Sequence, residues 1–285
     1  MITAQTQVYG LIGHPVRQSL SPAMYNELFH RFGMDARYLA FDVHPSRSQR
    51  VGDAIQTLGL VGVNLTVPFK EQILPQLDHM TQAAREAGAV NVVISVDGWL
   101  TGYNTDGEGF VRNLLELGFD EFSSLSVVIL GAGGTARAVA AALIDREVAQ
   151  VVLLNRTLIR AQKAIESLSD IGGATLLKSG RLDPAGFQQH ARNAQVVVNC
   201  TAGAAAEMVG RFDPGCLAAG AIWVDVNYWM EEPPLQSLCE HLGVAFHTGH
   251  SMLMHQGALA FELFTGHPVR AAEIRDFMPS TVQAC

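Results

Sequence analysis

Val127–Leu130 (VVIL) runs into Gly131-Ala132-Gly133-Gly134-Thr135-Ala136, and an alanine-rich stretch continues to Ile144. The order reads as strand, tight turn, helix. Glycines let the backbone approach a pyrophosphate, and a helix N-terminus adds amide donors and a favourable dipole. Val151–Leu154 (VVLL) is expected as the second strand. A site for an unphosphorylated ribose usually ends that strand in Asp or Glu, which accepts from the 2′-hydroxyl. Here Asn155-Arg156-Thr157 stands there, with Arg160 one turn on. Two guanidiniums and no carboxylate favour a 2′-phosphate, so the expected cofactor is NADP. The alternative is a βα turn that binds nothing, and the strand context with the arginines outweighs it.

Outward from this stretch, short apolar runs alternate with longer amphipathic ones, the pattern of parallel α/β units. Further strands are expected around 174–178, 195–199 and 222–226. In the first third, strands are expected at Val8–Ile12, Tyr38–Val43 and Val61–Leu65. A helix is expected from Ser21-Pro22, with Ser21 as N-cap, to Gly33, and another to about Leu58, ended by Gly59. Val92–Val96 and Trp99–Gly102 read as a hairpin turning at Asp97-Gly98. The apolar stretch Met252–Phe264 is expected to be a helix that returns to the first domain. The fold class is therefore α/β with two domains. Residues 106–249 are expected to form a Rossmann NADP-binding domain. Residues 1–105 with 250–285 are expected to form a discontinuous substrate-binding domain, with the active-site cleft between the two.

The chain has 285 residues and a formal net charge of −8. An acidic whole without a basic block argues against a nucleic-acid surface. No apolar stretch approaches the ~18 residues of a membrane span, and the first residues lack the pattern of a signal peptide. The four cysteines are scattered without CxxC spacing, which fits reduced thiols in the cytoplasm. Ten histidines show no metal-ligand spacing, so no metal is expected. The expected partner is a small molecule, and the expected state a monomer or homodimer.

Polar residues at strand ends mark where chemistry could sit. Ser19-Leu20-Ser21 precedes a helix, and two hydroxyls there can grip a carboxylate, although a plain N-cap also explains Ser21. Asn64 and Thr66 alternate to one side of a strand, and Lys70 follows the turn at Pro68. Lysines are usually solvated. One at a strand-to-helix junction can transfer a proton when a carboxylate orients it. Asp106, in Asn104-Thr105-Asp106-Gly107, is the natural candidate. Such a pair suits reduction of a ketone by hydride. Asn91 could point the same way, or be an ordinary strand-edge amide.

Together these motifs resemble the shikimate dehydrogenases over nearly the whole chain. The matching elements are Gly13-His14-Pro15 through Ser19-Leu20-Ser21-Pro22, Asn64 through Lys70, Gly88-Ala89-Val90-Asn91, Asn104-Thr105-Asp106-Gly107, Gly131 through Arg137, and Asn155-Arg156-Thr157. Each is weak alone, and the ordered set is specific. The resemblance implies a reversible, NADP-linked reduction of 3-dehydroshikimate to shikimate in aromatic amino-acid biosynthesis. It implies that Ser19 and Ser21 bind the substrate carboxylate, that Lys70 transfers the proton, and that Asp106 pairs with it. It implies substrate contacts for Asn64, Thr66, Asn91, Tyr228 and Gln256. Gly131, Ala132, Gly133, Gly134, Thr135, Asn155, Arg156, Thr157, Arg160, Val226 and Gly249 would hold the cofactor.

The chain departs from the family pattern at Tyr25, where His is common. It departs again at Asn199–Ala204, where the usual serine and methionine are absent, and at His250-Ser251 before Met252-Leu253. Two other readings stay open on sequence: a quinate/shikimate dehydrogenase paralogue and a noncatalytic NADP-binding regulator. Ser21 and Arg156 speak against the first, and retention of Lys70 with Asp106 against the second.

Overall fold

The computed structural model describes residues 2–202, 204–230 and 233–278, with backbone alone at 204–206. The chain divides into two compact units, Met1–Gly109 with Leu253–Cys285, and Phe110–Met252.

The first unit is built on six strands: β1 (Gln7–Gly13), β2 (Ala36–Asp42), β3 (Gly62–Leu65), β4 (His79–Met80), β5 (Val92–Val96) and β6 (Trp99–Tyr103). Their order is β2-β1-β3-β5-β6-β4. β1 pairs parallel with β2 and β3, whereas β5 runs antiparallel to both β3 and β6. The β5–β6 hairpin turns through Asp97 and Gly98, both with positive φ (51° and 81°), as a two-residue turn of its twist requires. One face of the sheet buries Ile12, Val63, Leu65, Val93 and Leu100. On the other, Tyr9 of β1 meets Phe29 of the helix Ser21–Arg31 at 5.0 Å and Phe264 of the helix His250–Thr265 at 5.3 Å.

Ser21 is not the N-cap of its helix. That position falls on Leu20, which makes no side-chain cap, and Pro22 sits in the first turn. The Ser19 hydroxyl accepts from the Ser21 N–H instead (3.2 Å). Ser19 therefore covers an orphan helix donor, and the Ser21 hydroxyl has no partner among the described residues.

The second unit carries β7 (Ser126–Leu130), β8 (Gln150–Asn155), β9 (Leu176–Arg181), β10 (Val196–Asn199), β11 (Ile222–Asp225) and β12 (Ala245–Thr248). The order β12-β11-β10-β7-β8-β9 is wholly parallel, the doubly wound nucleotide-binding topology. Its central strands β7, β8, β10 and β11 read as largely apolar runs because both faces are covered. Val127, Ile129, Val151 and Leu153 enter one core cluster, and Val128, Leu130, Val152 and Leu154 the other.

Candidate active site

In the first unit, β3 ends in Leu65, and a short helix, Phe69–Gln72, begins after the cis Val67-Pro68 peptide. Lys70 lies in that helix. Its main-chain carbonyl accepts from Val90 N–H at 2.8 Å, which ties the Gly88–Asn91 turn to the lysine's own backbone. Asp106 opens the helix Asp106–Glu116, whose first turn favours a carboxylate. Lys70 Nζ donates to Asp106 Oδ2 at 2.5 Å, with side chains 15% and 6% exposed. This is a largely desolvated, charge-assisted contact.

Asn91 fixes the other half of that carboxylate. Its two Nδ2 hydrogens go to Asp106 Oδ1 (2.8 Å) and Thr105 Oγ1 (2.9 Å), and Gln256 Oε1 shares one of them at a longer 3.3 Å. Its Oδ1 accepts from Thr105 N–H at 2.8 Å. Asn104 Oδ1 accepts the Asp106 N–H (3.0 Å), and Asn104 Nδ2 donates to the Ala89 carbonyl (2.8 Å). Asn91 is thus committed inside the protein, and it orients Asp106 and Gln256. Asn64 accepts from the Tyr38 hydroxyl (2.7 Å) and donates to the Asn91 carbonyl (3.3 Å). Thr66 is half-buried, held by its N–H to the Ile12 carbonyl (3.0 Å). One network therefore links Lys70, Asp106, Asn91, Gln256 and Asn64. Ser19 and Ser21 form a separate pair with its own hydrogen bond.

In the second unit, Gly131 has φ +110° and lies against the Cys200 carbonyl, where a Cβ would stand 3.2 Å from that oxygen. Only glycine combines that backbone with that approach. Gly133 caps the helix Gly134–Asp145 with no side-chain bond, and a Cβ built on it meets nothing within 4 Å. The helix therefore starts from a glycine that has no side chain of its own over the N-terminus, with open space where a Cβ would stand. Asn155 Nδ2 donates to the Thr157 carbonyl (2.9 Å), closing the turn before the helix Leu158–Ser169. Arg156 and Arg160 are exposed and carry no ion pair among the described residues. A glycine turn at a helix N-terminus after β7, with two exposed guanidiniums after the neighbouring β8, fits a phosphorylated dinucleotide. At the far strand ends, a Cβ on Gly249 would stand 2.1 Å from the Val226 carbonyl, so the two chain segments touch there. The Tyr228 ring meets His250 edge-on at 5.9 Å.

A buried polar cluster that the sequence does not announce sits beside Val226. Asp225 is 4% exposed. It accepts from Asn199 Nδ2 (2.8 Å), Asn227 N–H (3.0 Å) and Asn227 Nδ2 (2.7 Å). Burial raises its carboxyl pKa, and these donors pull it back. The Thr201 hydroxyl donates to Asn199 Oδ1 at 2.7 Å, and Asn227 Nδ2 donates to the Thr201 carbonyl at 3.1 Å. Gly203, inside the Asn199–Ala204 departure, lies outside the described residues. Tyr38, Asn104 and Thr105 are further site residues that sequence reasoning misses. Tyr38 and Thr105 hydrogen-bond the amides of Asn64 and Asn91, Asn104 accepts the Asp106 main-chain N–H, and nothing in the local sequence reports those bonds.

A parallel nucleotide-binding unit, joined in one chain to a unit holding a buried Lys–Asp pair, defines a dinucleotide-linked oxidoreductase. Comparison with known proteins narrows the class. Residues 11–93 match the shikimate dehydrogenase substrate binding domain, residues 113–211 the shikimate / quinate 5-dehydrogenase domain, and residues 249–276 the shikimate 5′-dehydrogenase C-terminal domain. The shikimate dehydrogenase (NADP(+)) of Methanopyrus kandleri is 39% identical over 284 residues, covering 96% of each chain. A shikimate 5-dehydrogenase from Listeria monocytogenes, solved with shikimate and NAD, superposes with a TM-score of 0.85 at 31% identity, covering 98% of each chain. The Thermus thermophilus enzyme, solved with NADP(H) and shikimate, gives 0.80 at 32% identity, covering 95% of this chain and 97% of that one. The chain belongs to the shikimate dehydrogenase family.

Proposed function

We propose that this chain catalyses the reversible, NADP-dependent reduction of 3-dehydroshikimate to shikimate. The observation that carries this reading is the part-buried Lys70–Asp106 pair, held at 2.5 Å and oriented by Asn91, with Lys70 and Asn91 inside the residues that match the family's substrate binding domain. The Methanopyrus kandleri relative is named for this NADP-linked reaction, and the Thermus thermophilus structure holds both NADP(H) and shikimate.

Gly131 to Thr135 would hold the pyrophosphate through backbone amides, with Asn155, Arg156, Thr157 and Arg160 around the adenosine 2′-phosphate. Val226 and Gly249 would border the nicotinamide. NADP, when bound, supplies hydride exchange with the substrate carbon. The chain's own residues manage the oxygen. In reduction, Lys70 Nζ donates a proton to the carbonyl oxygen, and Asp106 stabilises the ammonium that is consumed and restored. In oxidation, the pair takes the proton from the substrate hydroxyl. Ser19 and Ser21 would hold the carboxylate, the Ser21 hydroxyl being uncommitted among the described residues. Asn64, Thr66, Gln256 and Tyr228 would contact the ring substituents. Asn91, already saturated by Thr105, Asp106 and Gln256, would act chiefly by orienting them. We place the enzyme in the cytoplasm as a monomer or homodimer. Cys216 and Cys239 are free thiols, and no described helix is long and apolar enough to cross a membrane.

The test is the initial rate of shikimate and of quinate oxidation, each with NADP⁺ and with NAD⁺. Activity with shikimate and NADP⁺, and little in the other three pairings, is expected. Preference for quinate with NAD⁺, or silence in all four, would overturn the reading.

A further inference from the structure

Tyr38 stands on β2, outside every motif that marks the site, and is 1% exposed. Its backbone is clamped from the helix Ser21–Arg31: its N–H donates to Asn26 Oδ1 (2.9 Å), and its carbonyl accepts from Asn26 Nδ2 (2.8 Å). Its ring stacks on Tyr25 at 4.5 Å, and the Tyr25 hydroxyl donates to the Gly257 carbonyl at 3.3 Å. Little freedom is left to the phenol, which donates to Asn64 Oδ1 at 2.7 Å.

The other end of the same amide is fixed by chemistry. Asn64 Nδ2 faces the main-chain carbonyl of Asn91 at 3.3 Å. A carbonyl only accepts, so the amide nitrogen must lie on that side and the oxygen on the side of Tyr38. Rotating the amide by half a turn would set two oxygens against each other at Asn91. Asn64 is 6% exposed, and its second Nδ2 hydrogen has no acceptor among the described residues.

We propose that Tyr38 is a positioning residue for substrate recognition: the Asn91 carbonyl sets the sense of the Asn64 amide, and Tyr38 holds its oxygen end in place, so that the site presents an N–H donor to the substrate. The group met there must be an oxygen that accepts, such as a ring hydroxyl or a carbonyl. A ligand with an ammonium at that place is refused. The proposal rests on the reading that this unit binds shikimate.

A double-mutant cycle tests it. Tyr38→Phe removes one hydroxyl and keeps the ring on Tyr25. It is expected to raise the KM for shikimate about 5- to 10-fold, the loss typical of one buried hydrogen bond. The KM for NADP⁺, measured on the same sample, should stay at the wild-type value, which reports that the protein is folded. Asn64→Ala should raise the KM for shikimate further. In that background, Tyr38→Phe should add nothing, because the lock has nothing left to hold. A merely structural tyrosine would add its full effect in both backgrounds, or move both KM values, and either result overturns the lock. An unchanged shikimate KM in Tyr38→Phe also overturns it. A wild type that fails to oxidise shikimate would overturn the underlying reading, and the lock's substrate role with it.

Discussion

Asp106 and Asp225 are the same residue at the same depth, each 4% exposed, one in each unit. Asp106 faces a lysine at 2.5 Å and one amide at 2.8 Å. Asp225 accepts from amide donors of Asn199 and Asn227 and has no cation among its described partners. Burial of a carboxylate is costly unless donors satisfy it, and both solutions meet that need. Only one leaves a proton in motion. A lysine partner can lose and regain its proton, whereas an amide cannot. In the proposed mechanism these neighbours give Asp106 a part in the chemistry and leave Asp225 to the architecture. Asp225 ties the ends of β10 and β11 together directly beneath Val226.

Breaking the first carboxylate should have the largest effect. Asp106→Asn leaves Lys70 without this counter-charge, and kcat for shikimate should fall by about 10²-fold or more, the scale of positioned acid–base catalysis. A steady-state assay that finds kcat within a few-fold of wild type would erase the distinction between the two aspartates. Arg156→Ala comes next. Loss of a charge-assisted contact should weaken NADP⁺ by roughly 10- to 100-fold while leaving NAD⁺ unchanged. Equal losses in titrations with both cofactors would remove the phosphate clamp. Asp225→Asn sharpens the contrast from the other side. It sets an amide against the donors of Asn199 and Asn227, with a stability loss of about 1–3 kcal/mol in chemical denaturation. Its kcat should change only a few-fold. A collapse of kcat with cofactor affinity intact would place Asp225 in the chemistry after all.

The smallest effect is a pH dependence confined to the second unit. Burial lowers the pKa values of His190, His247 and His250 below the usual 6.5. The unfolded chain therefore binds these protons more readily than the native one. Their contribution is complete above the unfolded value and is lost as the pH falls below about 6.5. Thermal melts should show Tm decreasing from pH 7.5 to pH 5. Replacing His250 by Gln should flatten part of that slope, and an unchanged slope would clear His250 of the effect.

Much of the architecture is legible in the chain because both faces of the nucleotide-binding sheet are covered, so its strands stand out as apolar runs such as VVIL and VVLL. The misses have the opposite cause. β9, expected at 174–178, lies at Leu176–Arg181, where LLKSGR is half exposed and carries no clear pattern. β12 (AFHT) and the two-residue β4 give no signal of their own, since neither forms an apolar run. At the site, a lysine past a turn suggests the need for a carboxylate, and the Asn-Thr-Asp-Gly stretch offers one. The saturation of Asn91, the grip of Tyr38 on Asn64 and the Asp225 cluster are not legible. Each depends on atoms meeting across strands far apart in sequence, and such meetings leave no local periodicity.

The most direct test of the central claim is single-turnover reduction of NADP⁺ by saturating shikimate in Lys70→Met, which keeps the length of the side chain and deletes its proton. With cofactor affinity at the wild-type value, the rate should fall by about 10²- to 10⁴-fold. A wild-type rate would contradict the assignment of Lys70 and Asp106 as the proton-transfer pair.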